Sequence, residues 1–365
     1  MSGGGITGCS TAVYTVPTPS PETDGTGAWS ATTVVAVRVQ ADGCDGLGWT
    51  YSDGAAAEVV TGMLAPLLDG ADPDELPGLR HRMQVRLRNA GATGLAAAAL
   101  SAVDVALSDL RARRLGVALP HLLGQARAAA PIYGSGGFTS YDDATTGREL
   151  EHWLALGASA VKIKIGESFG HAVGRDLARV GLARRTVGAD VEVFADANGG
   201  YSVGQAIRVE RMLRTHDVRW FQEPVSSDDP RRMADVRRQA TADIAAGEYV
   251  WRRADAKVLL DAGAVDCLQL DVTRCGGYSG FLECAAAAAA HGVEVSVHCG
   301  PHIAVPVALA VGNLRHVEYF IDHERVDAAL FDGLPIVADG ELRADPARPG
   351  HGMTLGAAAE RFRVA

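Results

Sequence analysis

The chain has 365 residues, 47% of them hydrophobic and 21% charged, with a net charge of −10. That length gives two domains or one large one with ample core, and the acidic balance excludes the basic stripe of a nucleic-acid binder. No run approaches the ~18 consecutive apolar residues of a membrane span, so neither nucleic acid nor membrane is an expected partner. Met1-Ser2-Gly3-Gly4-Gly5 lacks the basic and apolar segments of a secretory leader. Six cysteines (Cys9, Cys44, Cys267, Cys275, Cys284, Cys299) show no CxxC spacing. They read as buried thiols in a reducing cytoplasm.

Residues 9–18 and 32–40 are rich in β-branched side chains and predict two strands. Between them, Pro17 to Gly27 is dense in Pro, Ser, Thr, Asp and Gly, the composition of a mobile surface loop. A short strand is expected at 47–51, then helices at 55–68 and 93–115, the second with apolar residues at i, i+3 and i+4. Strands first and helices after make residues 1–128 a small α+β domain.

From residue 131 the pattern changes. Apolar, β-branched runs recur at 131–134, 161–166, 191–195, 219–222, 243–246, 267–270, 293–297 and 317–320, with helical segments between them. Such alternation predicts a parallel sheet, and eight units at roughly 25-residue pitch predict a closed α/β barrel over 129–332. An open doubly wound sheet would want a GxGxxG turn after its first strand, which Gly134-Ser135-Gly136-Gly137 does not supply. Residues 333–365 read as a tail returning to the first domain.

In a barrel, polar residues at the C-terminal strand ends build the site. Lys162 and Lys164 alternate with Val161, Ile163 and Ile165 and so share one face of their strand. Taken alone they suit a lysine-guarded edge strand. Asp196, Glu223 and Glu248 each close a strand. Any one of them suits a helix N-cap, but they fall one per βα unit, and strands ~4.8 Å apart bring them together. Unpaired, they repel; a hard divalent cation relieves this, and all-oxygen ligation favours Mg²⁺, with Mn²⁺ next. Lys164, beside cationic Lys162 and a cation, is expected to have a depressed pKa and to serve as a general base. His298 alone suits a satisfied core histidine. Asp271, one strand away, suits its orientation as an acid/base dyad. Glu318, if held protonated, would donate to a developing oxyanion.

In order, Lys162-Ile-Lys164, Asp196-Ala-Asn198, Glu223-Pro224, Gly247-Glu248, Asp271 through Gly277, His298 and Glu318 resemble the mandelate racemase subgroup of the enolase superfamily. The resemblance covers nearly the whole chain. It implies a modified TIM barrel, (β/α)7β, with an N-terminal α+β capping domain completed by the C-terminal tail. It also implies a bound Mg²⁺ and abstraction of the proton α to a carboxylate. Lys164 is then one base, Lys162 its helper and a contact to the substrate carboxylate, and Asp271–His298 the acid/base on the opposite face. Glu318 is the electrophile, and Asn198 contacts substrate.

In the family the loop matching 17–27 closes over substrate. Its polar composition, with Trp49 and Tyr51 nearby and Ser140 and Tyr141 after the first barrel strand, makes these four residues candidate substrate contacts and leans toward a polyhydroxy acid. Dehydration of an acid sugar to a 2-keto-3-deoxy acid is the expected reaction. Racemisation or epimerisation of a 2-hydroxy acid is the alternative. Lactone-forming cycloisomerisation is disfavoured, because that branch uses a lysine where Asp271 stands. A non-catalytic paralogue acting as a binding module is a further alternative. A homo-oligomer (dimer, tetramer or octamer) is implied by the family. Ser108 stands where the resemblance leads one to expect tryptophan.

Overall fold

Alternating β-branched residues build two long strands, β1 (Gly8–Thr23) and β2 (Ala28–Ala41), joined antiparallel with β3 (Cys44–Tyr51) in the order β1-β2-β3. The architecture is that of a computed structural model, which describes residues 4–365. Val35, Val37 and Val39 face the helices of this domain, while Val34 and Ala36 face the larger core. The helix Leu95–Leu115 lies almost on β3. A Cβ on Gly46 or Gly48 would sit 2.1 Å or 2.2 Å from a helix carbonyl, so only glycine allows this approach. Ser108 is buried in that helix. Residues 55–68 are helical but pass through a π-helical turn, Val60–Leu64, and a further helix, Leu76–Leu87, follows.

Residues 17–27 are not a surface loop. β1 and β2 continue through them, with a register shift between Pro17 and Glu22, and Glu22 pairs with Trp29 and Thr23 with Ala28. Only the tip turns, closed by Asp24 Oδ1, which accepts the amides of Thr26 and Gly27 at 2.6 Å each. The backbone finds partners on the barrel: Thr139 N donates to Thr23 O (2.8 Å) and Phe169 N to Gly25 O (3.0 Å). Paired main-chain groups hold a polar, turn-like sequence extended.

The barrel strands are β4 (Ala130–Gly136), β5 (Ala160–Lys164), β6 (Glu192–Asp196), β7 (Val218–Gln222), β8 (Asp243–Ala246), β9 (Cys267–Leu270), β10 (Glu294–Val297) and β11 (Leu314–Phe320). Neighbours pair in parallel, and β11 pairs with β4 to close the ring. β5 is therefore an inner strand of a closed sheet, which removes the edge-strand explanation for its lysines. Helices between consecutive strands make a (β/α)7β barrel. Its floor is aromatic: Tyr133, Phe194 and Trp220 lie around His316, with ring centroids 4.6–6.3 Å apart.

After the barrel, Ile336–Ala338 and Glu341–Arg343 form a hairpin that pairs with the start of β4. The chain end returns to the first sheet, where Val364 N donates to Val13 O and Val13 N to Ala365 O, each at 2.8 Å. The six cysteines are free, with Cys267, Cys275, Cys284 and Cys299 buried and Cys9 and Cys44 partly exposed. Among the described residues, no helix is long and apolar enough to cross a membrane.

Candidate active site

Parallel register places the ionisable residues side by side at one end of the barrel. Lys164 stands opposite Asp196, and Asp196 opposite Gln222. Lys164 Nζ donates to Asp196 Oδ2 at 2.6 Å. Lys162 Nζ, one layer deeper, meets Glu318 Oε1 and Gln222 Oε1 at 2.6 Å each and Asp196 Oδ2 at 3.5 Å. Gln222 passes the chain on, donating to Glu248 Oε2 at 2.7 Å.

Burial pulls Lys164 down, while the charges of Asp196, Glu248 and Glu318 around it push its pKa above the ordinary lysine value. One expectation about charge is corrected here. Glu318 is not held protonated. Burial favours its acid form, but Lys162, His298 and Lys164 overcome this and keep its pKa below the usual carboxylate range. Its oxygens are filled by donors: Lys162 and Ser135 Oγ (2.6 Å) on Oε1, Cys299 N (2.9 Å) and Gln269 Nε2 (3.2 Å) on Oε2.

Across the mouth, His298 Nδ1 donates to Asp271 Oδ2 at 3.0 Å. Asp271 Oδ1 accepts from the amide and hydroxyl of Thr273, each at 2.7 Å, and Arg274 Nε lies 3.3 Å from Oδ2. Burial raises the Asp271 pKa, yet His298 and Arg274 bring it down to about 2. An ionised aspartate on Nδ1 leaves Nε2 as the working nitrogen. Nε2 lies 3.7 Å from Glu248 Oε1.

The third group is Asp196, Glu223 and Glu248. Burial together with the charges of Glu248 and Asp196 pushes Glu223 well above the usual carboxylate pKa. Its Oε1 is buried with no hydrogen-bond partner. A crowded carboxylate with an idle oxygen, among all-oxygen donors, fits a hard divalent cation. The tightest trio of ligating atoms among the described residues, within 4.8 Å, is instead His298, Cys299 and Glu318. Glu318 there has no free oxygen, and burial holds the Cys299 thiol well above its ordinary pKa, so that trio suits a cation poorly. Asn198, Glu223 and Cys299 each have a left-handed φ (+45°, +37°, +45°). Three strained non-glycine residues at three strand ends mark a built site.

The hairpin tip caps this end. A Cβ on Gly25 would lie 2.7 Å from Ala197 O and 2.8 Å from Ile165 O, so the tip rests on the ends of β5 and β6.

The N-terminal part of the chain, residues 9–124, matches the model of the mandelate racemase/muconate lactonizing enzyme N-terminal domain. Residues 145–359 match the enolase C-terminal domain-like family. The chain belongs to the mandelate racemase group of the enolase superfamily. A 3,6-anhydro-α-L-galactonate cycloisomerase of Streptomyces coelicolor is 33% identical over 94% of this chain and 95% of its own. The L-talarate/galactarate dehydratase of Salmonella typhimurium is 28% identical over 88% and 80%. Among solved structures, a mandelate racemase/muconate lactonizing enzyme-like protein from Rubrobacter xylanophilus superposes with TM-score 0.95 at 40% identity, covering 99% of this chain and 100% of that one. A Streptomyces coelicolor racemase with bound magnesium gives 0.92 at 31%, covering 98% and 100%.

The remaining residues singled out from sequence fall in three places. Asn198 sits on the mouth, its amide donating to Asp196 Oδ1 (3.0 Å) and its own Oδ1 buried and unpartnered. Ser140 and Tyr141 hold the hairpin: Ser140 Oγ donates to Pro21 O (2.9 Å) and Tyr141 OH to Glu22 Oε1 (3.1 Å). Trp49 is not at the mouth; it is fully buried, stacked on Phe331 at 4.1 Å. Tyr51 is near the dyad, but its hydroxyl is spent on Asp327 (2.5 Å). Gln222, Gln269, Ser135 and Arg274 also belong to the network, beyond the residues the sequence singles out. Strand alternation puts Gln222 in phase with Trp220, and Gln269 with Cys267, two residues of the barrel interior; a polar residue at such an inward position is the signal. A cavity of about 800 Å³ lies elsewhere, between Leu76–Leu87 and the outer barrel helices.

Proposed function

We propose that this protein removes the proton α to the carboxylate of an acid sugar and expels the β-hydroxyl as water, giving a 2-keto-3-deoxy acid. The observation that carries the reading is the opposition of two proton-transfer groups, Lys164 on β5 and the Asp271–His298 dyad just beyond β9 and β10, across a carboxylate trio with an idle oxygen. Asp196, Glu223 and Glu248 would hold Mg²⁺, or Mn²⁺ in its place. Bound there, the cation supplies Lewis-acid stabilisation of the charge that develops on the substrate carboxylate.

The protein's own groups do the rest. One base takes the α-proton, and the C–H electrons move into the carboxylate as an enediolate. Lys162 is the fixed positive charge facing it, and Glu318, ionised and fully bonded, holds Lys162 in place. This replaces the oxyanion-donor role for Glu318. His298 Nε2 gives a proton to the departing β-hydroxyl. The C–O bond breaks with water as the leaving group, and the enol product ketonises. Asn198 and the hairpin face the substrate's hydroxyls; Ser140 and Tyr141 act by holding the hairpin down.

Two other outcomes share the first step. Return of a proton to the α-carbon from the opposite face gives racemisation or epimerisation. Cycloisomerisation is supported by the 33%-identical relative that bears that name, although Asp271 stands where a lysine was expected for it. Assembly as a homo-oligomer is part of this reading and is checked by light scattering. The deciding experiment incubates mono- and di-acid sugars with the Mg²⁺-loaded protein in D₂O and follows them by NMR. A 2-keto-3-deoxy product supports dehydration. α-Deuterium without loss of water supports racemisation, and a lactone or ring-opened isomer supports cycloisomerisation.

A further inference from the structure

His323 lies in the first turn of the helix Ile321–Leu330, just beyond β11, and is buried. None of the roles above uses it. Its Nδ1 accepts the Gly300 N–H at 2.8 Å. That amide belongs to the turn His298-Cys299-Gly300, where Cys299 and Gly300 both have left-handed φ, +45° and +46°. A left-handed cysteine persists only where its surroundings over-determine it.

Two hydrogen bonds do so here. Cys299 N–H goes to Glu318 Oε2 at 2.9 Å, and Gly300 N–H goes to His323 Nδ1. The same turn aims the His298 ring at Asp271. As an acceptor at Nδ1, His323 is the neutral imidazole with its proton on Nε2. Burial lowers its pKa to about 4, so this form persists at neutral pH.

The ring is held in turn by the cap. Tyr51, from β3, stacks on His323 with centroids 3.6 Å apart and planes 17° from parallel. The Tyr51 hydroxyl donates to Asp327 Oδ1 at 2.5 Å, and His302 Nδ1 donates to Asp327 Oδ2 at 2.7 Å. His302 is in Pro301–Ala308, the helix that follows the turn. One carboxylate therefore ties cap, turn helix and the His323 helix together.

We propose that His323 is a positioning residue: it fixes the turn that carries His298 and the amide bound to Glu318, and the capping domain sets its ring through Tyr51. The consequence for catalysis rests on the roles given above to His298 and Glu318; the structural half does not. His323→Phe keeps a ring for Tyr51 and removes the acceptor. His323→Asn returns an oxygen near the position of Nδ1. Tyr51→Leu removes the stack and keeps the acceptor.

Amide hydrogen exchange at Cys299 and Gly300 and steady-state turnover are read together. In His323→Phe the two amides should exchange roughly 10- to 100-fold faster, the cost of a buried unpaired N–H. kcat should fall by a similar factor with KM changed far less, and the Mg²⁺-induced rise in Tm should be kept. His323→Asn should restore most of both losses. Tyr51→Leu should move both the same way, by less. Wild-type amide protection in His323→Phe, or faster amides with unchanged kcat, overturns the proposal; so does His323→Asn behaving as a deletion. Should His323→Phe fail to fold, the asparagine and Tyr51 variants decide by the same criteria. If the wild type turns over no acid sugar, the amide measurements still judge the positioning, and only the functional reading fails.

Discussion

Replacing Glu223 by Gln separates a cation site from a merely acidic cleft, because the two predict opposite changes in stability. Glu223 is raised by burial and by Glu248 and Asp196. A like charge at ~6 Å costs about 3 kcal/mol at an effective dielectric near 20. Glu223→Gln removes that repulsion, and partial protonation of the wild type trims the gain to about 2 kcal/mol. With about 2.1 cal/mol/K of unfolding entropy per residue, a 365-residue chain moves by about 1.3 °C per kcal/mol. In EDTA at pH 8 the variant should therefore melt about 2–4 °C above the wild type.

The sign with pH follows from the direction of the shift. The folded-state pKa is raised, so the wild type is free of the penalty below the ordinary value of 4.5 and loses stability as pH rises through the folded value. The advantage of the variant should vanish near pH 4 and grow above it. Mg²⁺ reverses the order. At ~100 times its Kd it stabilises the wild type by about 2.7 kcal/mol, about 3.5 °C, whereas the variant, short of one ligand, should shift by under ~1 °C. Differential scanning calorimetry with and without Mg²⁺ measures both. A variant that melts below the wild type in EDTA, or keeps the full Mg²⁺ shift, refutes the assignment of Glu223.

Lys162→Met removes the ammonium that keeps Glu318 ionised; kcat should fall about 10²–10³-fold, and the Glu318 carboxyl, followed by infrared difference spectroscopy at neutral pH, should appear as the acid. An unchanged carboxylate band would mean that other donors suffice. Tyr141→Phe takes one donor from Glu22, whose pKa burial already raises. Expected are a loss of about 1 kcal/mol and a severalfold rise in KM with kcat nearly kept; a fall in kcat alone would place Tyr141 at the chemistry instead of under the hairpin.

Much of this architecture is legible in the chain. The eight apolar runs mark the eight barrel strands to within a few residues, because a parallel strand buried on both faces must be apolar throughout. Alternation in β5 and the regular recurrence of Asp196, Glu223 and Glu248 point to the candidate site, because parallel register sets the strand ends side by side. What escaped depends on contacts between distant segments. Residues 17–27 have a turn's composition, and strand pairing together with barrel loops that donate to their backbone carbonyls keeps them extended. The charge state of Glu318 is not legible because it is set by Lys162, a partner far away in sequence. Trp49 and Tyr51 lie two apart on β3, yet one stacks on the tail's side at Phe331 and the other on His323. Neither partner is near in sequence, so no local pattern reveals it.

The claim that two opposed groups serve one substrate, one taking its α-proton and His298 protonating its β-hydroxyl, is tested most directly by following α-deuterium and the 2-keto-3-deoxy product by NMR in D₂O, comparing wild type, Lys164→Ala and His298→Asn on an acid sugar the wild type turns over. The account predicts that His298→Asn loses the product, and that α-exchange survives in one variant and is lost in the other. Product from His298→Asn, or α-exchange retained in both variants, would contradict it.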